Sequence, residues 1–162
     1  IFKTPTNLPG QRRGYGCTGP VGQYFHGNEP THHVPYYYQY AGRPDRTQEV
    51  VREICTKLYR NAPDGMCGDG DSGQMGAWYV FSALGFYPFN PVGGDYVLGA
   101  PQYPRASLRL ANGRTFAVVA RGLSEKNLHV KSVSLNGRPL EGFVLRHDQI
   151  LAGGELVFEM CP

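Results

Sequence analysis

The stretch GDGDSGQMGAWYVFSALGFYP, from Gly68 to Pro88, decides how the rest of the chain is read. Ser72 can cap a helix that begins near Gly73, and Gly85 can close it after Leu84. Between those ends Met75, Trp78, Tyr79, Val80, Phe81 and Leu84 make the helix apolar around most of its circumference. Such a helix is buried against other helices, because no broad polar face is left for water. Two carboxylates, Asp69 and Asp71, stand directly ahead of it in a glycine-rich turn. A turn anchored on a buried helix holds its polar atoms at fixed positions, where a metal ion or a substrate can use them.

Toward the N-terminus lies a second polar turn, HGNEPTHHVPY, from His26 to Tyr36. It leads into a short helix over 36–41, with Pro35 in its first turn and Gly42 closing it. Asp45 can then cap a longer helix over 46–60, with Gln48 three residues on as in a capping box. Val50, Ile54 and Leu58 form its apolar stripe, with Val51 and Cys55 beside them, so a buried thiol is expected at Cys55.

Past residue 95 the period changes from helical to alternating. Ser107–Leu110 and Thr115–Ala120 flank Asn112-Gly113, and Val130–Leu135 runs into Asn136-Gly137. Asn-Gly between alternating runs is a strong hairpin signal, since both residues accept a positive φ. Glu155–Met160 follows Gly153-Gly154 as a further strand. Helices followed by strands give an α+β class with two modules, residues 1–94 and 95–162, rather than an alternating α/β fold.

Composition narrows the function classes. The net charge of +3 comes from 16 basic and 13 acidic residues that are scattered, with Arg12-Arg13 the only basic pair in the first forty residues. A nucleic-acid binder concentrates its basic residues in a stripe, so a phosphate-backbone partner is not expected. No apolar run reaches membrane-spanning length, and no signal-peptide core precedes the turn-rich opening. The chain opens on Ile1 and stops at Pro162, as expected of a piece of a longer protein. Cys17, Cys55, Cys67 and Cys161 lack zinc-like spacing and leave disulfides open. Aromatic residues make up 12 % of the chain, and Tyr36-Tyr37-Tyr38 with Tyr40 follows the first polar turn. That run suits either core packing or a platform for the faces of sugar rings.

The acidic turns can be tested against known ligand patterns. An EF-hand counted from Asp69 needs Gly at the sixth position and Glu at the twelfth, where Gln74 and Val80 stand. Zinc is excluded in the same way, since His32-His33 are adjacent and no HExxH is present. What remains is a pair of carboxylates two residues apart, which can repel each other into a general base or simply serve as a helix-capping turn. Asp64, in its Pro-Asp-Gly turn, fits the capping reading better. Asn28 and Glu29 offer hard oxygen atoms suited to calcium, or are turn residues ahead of Pro30.

Three stretches together carry a resemblance: GQYFHGNEPTHHVPYYYQYAGRP (22–44), TQEVVREICTKLYRNAPDGMCGDGDSGQMGAWYVFSALGFYP (47–88), and the tail with SLNGRPL and GGELVFEM. From about Gly22 onward the chain resembles glycoside hydrolase family 92, the calcium-dependent exo-acting α-mannosidases. The resemblance implies a parent with a β-sandwich joined to an (α/α)6 barrel. This chain would then be a partial (α/α)6 barrel, its later helices, followed by a C-terminal antiparallel β region. It further implies inverting hydrolysis of terminal α-mannosides in glycans, with Asp69 and Asp71 activating water. Calcium would be held by Asn28, Glu29 and Asp71, and Gln23, His26, His32 and His33 would line the sugar subsite.

An inverting reaction also needs a proton donor across the glycosidic bond from the base. In the family that Glu lies upstream of the stretches matched here, so the isolated 162 residues are expected to be inactive without the N-terminal sandwich and the earlier barrel segments. The parent is expected to be exported, either secreted or periplasmic. Two other readings compete: a non-catalytic carbohydrate-binding module or pseudoenzyme, and a structural domain stabilised by calcium.

Overall fold

The computed structural model describes residues 1–10 and 18–162. Arg12, Arg13 and Cys17 lie outside the described residues.

The chain begins with a small antiparallel hairpin, β1 (Pro20–Val21) and β2 (Tyr24–Phe25). Two 3-10 turns follow at Glu29–Thr31 and Val34–Tyr36, then α1 (Tyr37–Tyr40) and α2 (Pro44–Lys57). The longer helix starts earlier than the spacing suggests, because Pro44 occupies its first turn and needs no N–H partner there. Arg43, not Asp45, stands at the N-cap position, and the Asp45 carboxylate takes Arg43 Nε and Nη2 at 3.0 and 2.6 Å. Gln48 is likewise diverted, its Oε1 accepting the Val130 N–H at 3.0 Å from across the molecule. The apolar stripe is as read: Val50, Val51, Ile54 and Cys55 are buried.

The helix α3 (Gln74–Leu84) ends at Gly85 as expected, and Trp78 and Met75 are fully buried. Strands begin straight after it, ahead of the expected change near residue 95. β3 (Phe86–Asn90) and β4 (Asp95–Leu98) pair with β9 (Val144–Arg146) in the order β3-β4-β9. The second sheet contains β5 (Arg105–Arg109), β6 (Thr115–Arg121), β7 (His129–Leu135), β8 (Arg138–Pro139) and β10 (Gly154–Cys161), in the order β5-β6-β10-β7-β8. Between β9 and β10 runs a short helix, α4 (His147–Leu151). Both Asn-Gly hairpins form, as β5-β6 and β7-β8.

One pairing departs from the antiparallel expectation. β10 inserts between β6 and β7 and runs parallel to β6, with Leu156 opposite Val118 and Phe158 opposite Ala120. Parallel neighbours need a long crossover, here supplied by everything from β7 to α4. The region is therefore mixed, mostly antiparallel with one central parallel pair.

Two cores result. Tyr24, Tyr36, Val51, Ile54, Trp78 and Tyr87 fill the helical half, while Phe86, Phe116, Val118, Leu145, Leu156 and Phe158 fill the β module. Phe81 packs against both. A polar seam joins α2 to β7 as well, through Gln48 and through His129 Nε2 at 3.6 Å from Glu49.

Candidate active site

The two polar turns meet backbone to backbone. The His26 and Gly27 N–H groups donate to the Gly19 and Thr18 carbonyls at 3.0 and 3.1 Å, which sets the first turn at the edge of the β1-β2 hairpin. Gly68 then comes so close that a Cβ on it would lie 2.9 Å from Gly27 Cα, and its φ is +80°. A Cβ on Gly27 would in turn overlap Thr18 Oγ1. Only glycine on both sides allows this approach. Asn28-Glu29 and Asp69-Asp71 follow this contact directly in sequence, each on its own turn.

Beyond that contact the second turn is wound left-handed. Gly70, Asp71, Ser72 and Gly73 have φ of 77°, 24°, 56° and 88°. For glycine this costs little; for Asp71 and Ser72 it costs about 1 kcal/mol or more each. Ser72 accordingly is not the helix cap, since a capping residue takes extended geometry, and Gly73 stands at that position instead. The Gly70 carbonyl accepts the Gly73 N–H at 2.8 Å and closes the turn. Asp69 and Asp71 are exposed on it.

Behind the turns lies a lattice of rings and hydrogen bonds that fixes them. His26 Nε2 is 2.6 Å from the Tyr59 hydroxyl, which itself donates to the Met75 carbonyl at 3.0 Å. The Tyr59 oxygen must therefore accept from Nε2–H, and His26 Nδ1 accepts from the Tyr24 hydroxyl at 2.8 Å. His32 is held in the same tautomer. Its Nε2–H donates to the His26 carbonyl at 2.9 Å, and its Nδ1 accepts from Gln74 Nε2 at 3.1 Å. Trp78 Nε1 donates to the His32 carbonyl at 2.9 Å, and the Gln74 amide also reaches the Tyr87 hydroxyl at 3.2 Å. The two imidazoles stack with centroids 4.6 Å apart, and the Trp78 ring meets His26 edge-on at 4.3 Å.

Both imidazoles are neutral. Burial pushes His26 down to about 3, and the neighbouring His32 pushes the same way. Burial also lowers His32, against the opposing pull of its bond to the His26 carbonyl and the Glu29 charge. All four ring nitrogens are engaged by protein, so these histidines act here as the frame behind the turns. His33 differs: it is half-buried and edge-on to Tyr37 and Phe89 at 5.3 and 6.0 Å. The Gln23 amide donates to the Pro5 and Thr6 carbonyls, the latter at 3.0 Å.

The tyrosine run is packed unevenly. Tyr36 is buried, stacked on Tyr87 at 5.0 Å and bonded to Ser82 Oγ at 2.8 Å, whereas Tyr37 and Tyr40 stay half-exposed around Phe89. Tyr24, Tyr59, Gln74, Trp78 and Tyr87 escaped the sequence reading as members of the site. One signal was present: Gln74 and Trp78 are four residues apart, on one face of α3.

Asn28, Glu29 and Asp71 supply an amide and two carboxylates on touching turns, the hard oxygen atoms that calcium prefers. Among the described residues no three His, Cys, Asp or Glu side chains group as metal ligands. The donor set thus fits calcium in kind but furnishes only part of a six- to eight-oxygen shell.

Residues 4–162 match the model of the glycosyl hydrolase family 92 catalytic domain. Solved structures with the same fold include a family 92 α-mannosidase of Bacteroides thetaiotaomicron in complex with mannoimidazole. It is 39% identical, with a TM-score of 0.90 over 98% of this chain and 21% of that one. A family 92 inverting mannosidase of the same species is 38% identical, with a TM-score of 0.79 over 93% of this chain and 22% of that one. Among curated proteins, an uncharacterized secreted glycosidase of Arthroderma benhamiae is 29% identical over 133 residues, 80% of this chain and 17% of that protein. The chain spans about a fifth of the length of these relatives.

Proposed function

Because the chain belongs to glycosyl hydrolase family 92, we propose that it is the C-terminal catalytic portion of a longer exo-α-mannosidase that cleaves terminal α-mannosidic bonds of glycans with inversion. The Gly27–Gly68 contact carries this reading, because it joins the turn of Asn28 and Glu29 to the turn of Asp69 and Asp71. Asp71, assisted by Asp69, takes a proton from water as the water oxygen bonds to the anomeric carbon. The bond to the leaving oxygen breaks, and that oxygen receives a proton from an acid contributed by another part of the protein. Without that acid the 162 residues alone are inactive.

Asn28, Glu29 and Asp71 would contribute oxygens to a Ca2+ ion, which when bound would supply positive charge at the hydroxyls of the terminal mannose. His33 and Gln23 border the sugar, and His26 and His32 hold the turns in place from behind. In the longer protein α1, α2 and α3 pack as the later helices of an (α/α)6 barrel, which is how a helix as apolar as α3 finds neighbours on its exposed Val80 side. Secretion follows the name of the fungal relative. Among the described residues no helix is long and apolar enough to cross a membrane.

The test is Asp71→Asn in the full-length protein, assayed on an activated aryl α-mannoside. Turnover is expected to fall about 1,000-fold, in the range general-base loss produces, with the melting temperature unchanged. Turnover close to that of the parent would remove Asp71 from the reaction. Chelation is expected to lower activity and added Ca2+ to restore it; an enzyme indifferent to EDTA refutes the metal.

A further inference from the structure

Gln74 is the first residue of α3 and stands three residues after Asp71. Its amide nitrogen spans two other elements, donating to His32 Nδ1 at 3.1 Å and to the Tyr87 hydroxyl on β3 at 3.2 Å. His32 in turn stands three residues after Glu29, and its N–H donates to the Glu29 carbonyl at 3.0 Å. A single side chain therefore connects the start of the helix that follows Asp71 to the end of the turn that carries Asn28 and Glu29. Trp78, one helical turn on, grips the His32 carbonyl from the same face. Between Gln74 and Asp71 the backbone is left-handed through Gly70–Gly73, and the Gln74 N–H bonds the Asp71 carbonyl, so a shift of Gln74 is passed directly to Asp71.

We infer that Gln74 is a positioning residue: its donated hydrogen bond to His32 Nδ1 sets the spacing between the Asp69-Asp71 turn and the Asn28-Glu29 turn. The chemistry demands the amide. His32 Nε2 is committed as a donor to the His26 carbonyl, so its Nδ1 presents a lone pair, and only a side chain that donates can meet it. A carboxylate of the same shape would set two lone pairs against each other. A misplacement of about 1 Å between reacting groups costs on the order of 100-fold in rate, so loss of this bond is felt in turnover more than in stability.

The inference rests on Asp71 being the water-activating base, and the experiment separates the two. In the full-length protein, Gln74→Glu keeps shape and reach but loses both donors, Gln74→Met keeps only volume, and Tyr87→Phe removes one acceptor while leaving the His32 bond. Asp71→Asn is run beside them, with kcat, KM and melting temperature measured for each on an activated aryl α-mannoside. Gln74→Glu and Gln74→Met are expected to lose about 30-fold or more in kcat, within the range set by misplacement, with melting little changed and Tyr87→Phe losing much less. Retention of kcat within about twofold by either Gln74 variant, beside an inactive Asp71→Asn, overturns the role of Gln74 alone. So does a Tyr87→Phe loss as large as that of Gln74→Glu. An active Asp71→Asn instead overturns the reading of the base.

Discussion

Trp78 on α3 and Phe158 on β10 are both buried completely, yet their surroundings share little. Phe158 sits in the middle of a sheet, opposite Val133 on β7 and Ala120 on β6, among aliphatic neighbours. Trp78 touches two imidazoles and two phenols, and its indole N–H is bonded to His32. Apolar packing is non-directional, and neighbouring side chains can shift to close a gap. Hydrogen bonds among buried polar rings are directional, and each one broken leaves a partner without water. The β module is thus built to be stable, and the helical half is built to hold particular atoms still.

Truncation separates the two most strongly. Trp78→Ala and Phe158→Ala should each cost about 4 kcal/mol in denaturant unfolding, the range for deleting a large buried ring. In the full-length protein Trp78→Ala should also abolish mannoside turnover per folded molecule, because the His32 carbonyl loses its donor. Phe158→Ala should leave that turnover nearly intact. If the two variants lost turnover alike, the contrast between packing and positioning would be gone.

The next effect in size is at the contact between the turns. Gly68→Ala places a methyl 2.9 Å from the Gly27 backbone while forcing φ = +80° on a residue with a Cβ. Overpacking and strain together should cost about 2–3 kcal/mol. The turns should also part, so kcat should fall further than the loss of folded protein explains. A variant with parental melting and parental kcat would show that the two turns need not touch.

Alkaline pH distinguishes the halves again. The helical core contains a thiol and several phenols whose ionisation burial opposes, with Cys55 pushed up to about 12 and Tyr24, Tyr36 and Tyr59 all raised. The buried core of the β module contains aliphatic, thioether and phenyl groups in their place, with the phenol of Tyr96 only partly buried against it. A group raised in the folded state stabilises fully below its unfolded pKa and loses that contribution as pH rises toward the folded one. From the ordinary thiol value of 9.0, Cys55 alone should forfeit about 1 kcal/mol by pH 10. Hydrogen exchange at pH 10 should open α2 before β6 and β10, and Cys55→Ala should remove part of the pH dependence.

The same contrast explains what could be read from the sequence. Asn112-Gly113 and Asn136-Gly137 announce their hairpins because a short turn, of three residues in the first and two in the second, is decided by its own residues. The parallel pairing of β10 with β6 leaves no such mark, since its partners are joined only through everything between them. Asp45 and Gln48 have the spacing of a capping box, but Arg43 takes the first and Val130, 82 residues away, takes the second. In the site, the residue types of the two turns were legible. That Gly27 meets Gly68, and that the imidazoles face inward, depends on contacts between distant segments that no local pattern records.

Gly137→Ala supplies the smallest effect and the sharpest control. Gly137 and Gly68 have nearly the same φ, 79° and 80°, so the intrinsic cost of placing a Cβ in the left-handed region is nearly equal at both. Around Gly137 nothing lies within 4 Å of the added carbon, whereas at Gly68 the Gly27 backbone does. Gly137→Ala should therefore cost about 1 kcal/mol, the conformational term by itself, with turnover of the full-length protein untouched. Subtracting it from the Gly68→Ala value isolates the steric part, which is the free energy with which one turn resists displacement from the other. A difference near zero would mean that the Gly27–Gly68 contact yields freely. Asp71 and Glu29 would then have to be held together by the side-chain bonds behind the turns, Gln74 and Trp78 to His32 and Tyr59 to His26.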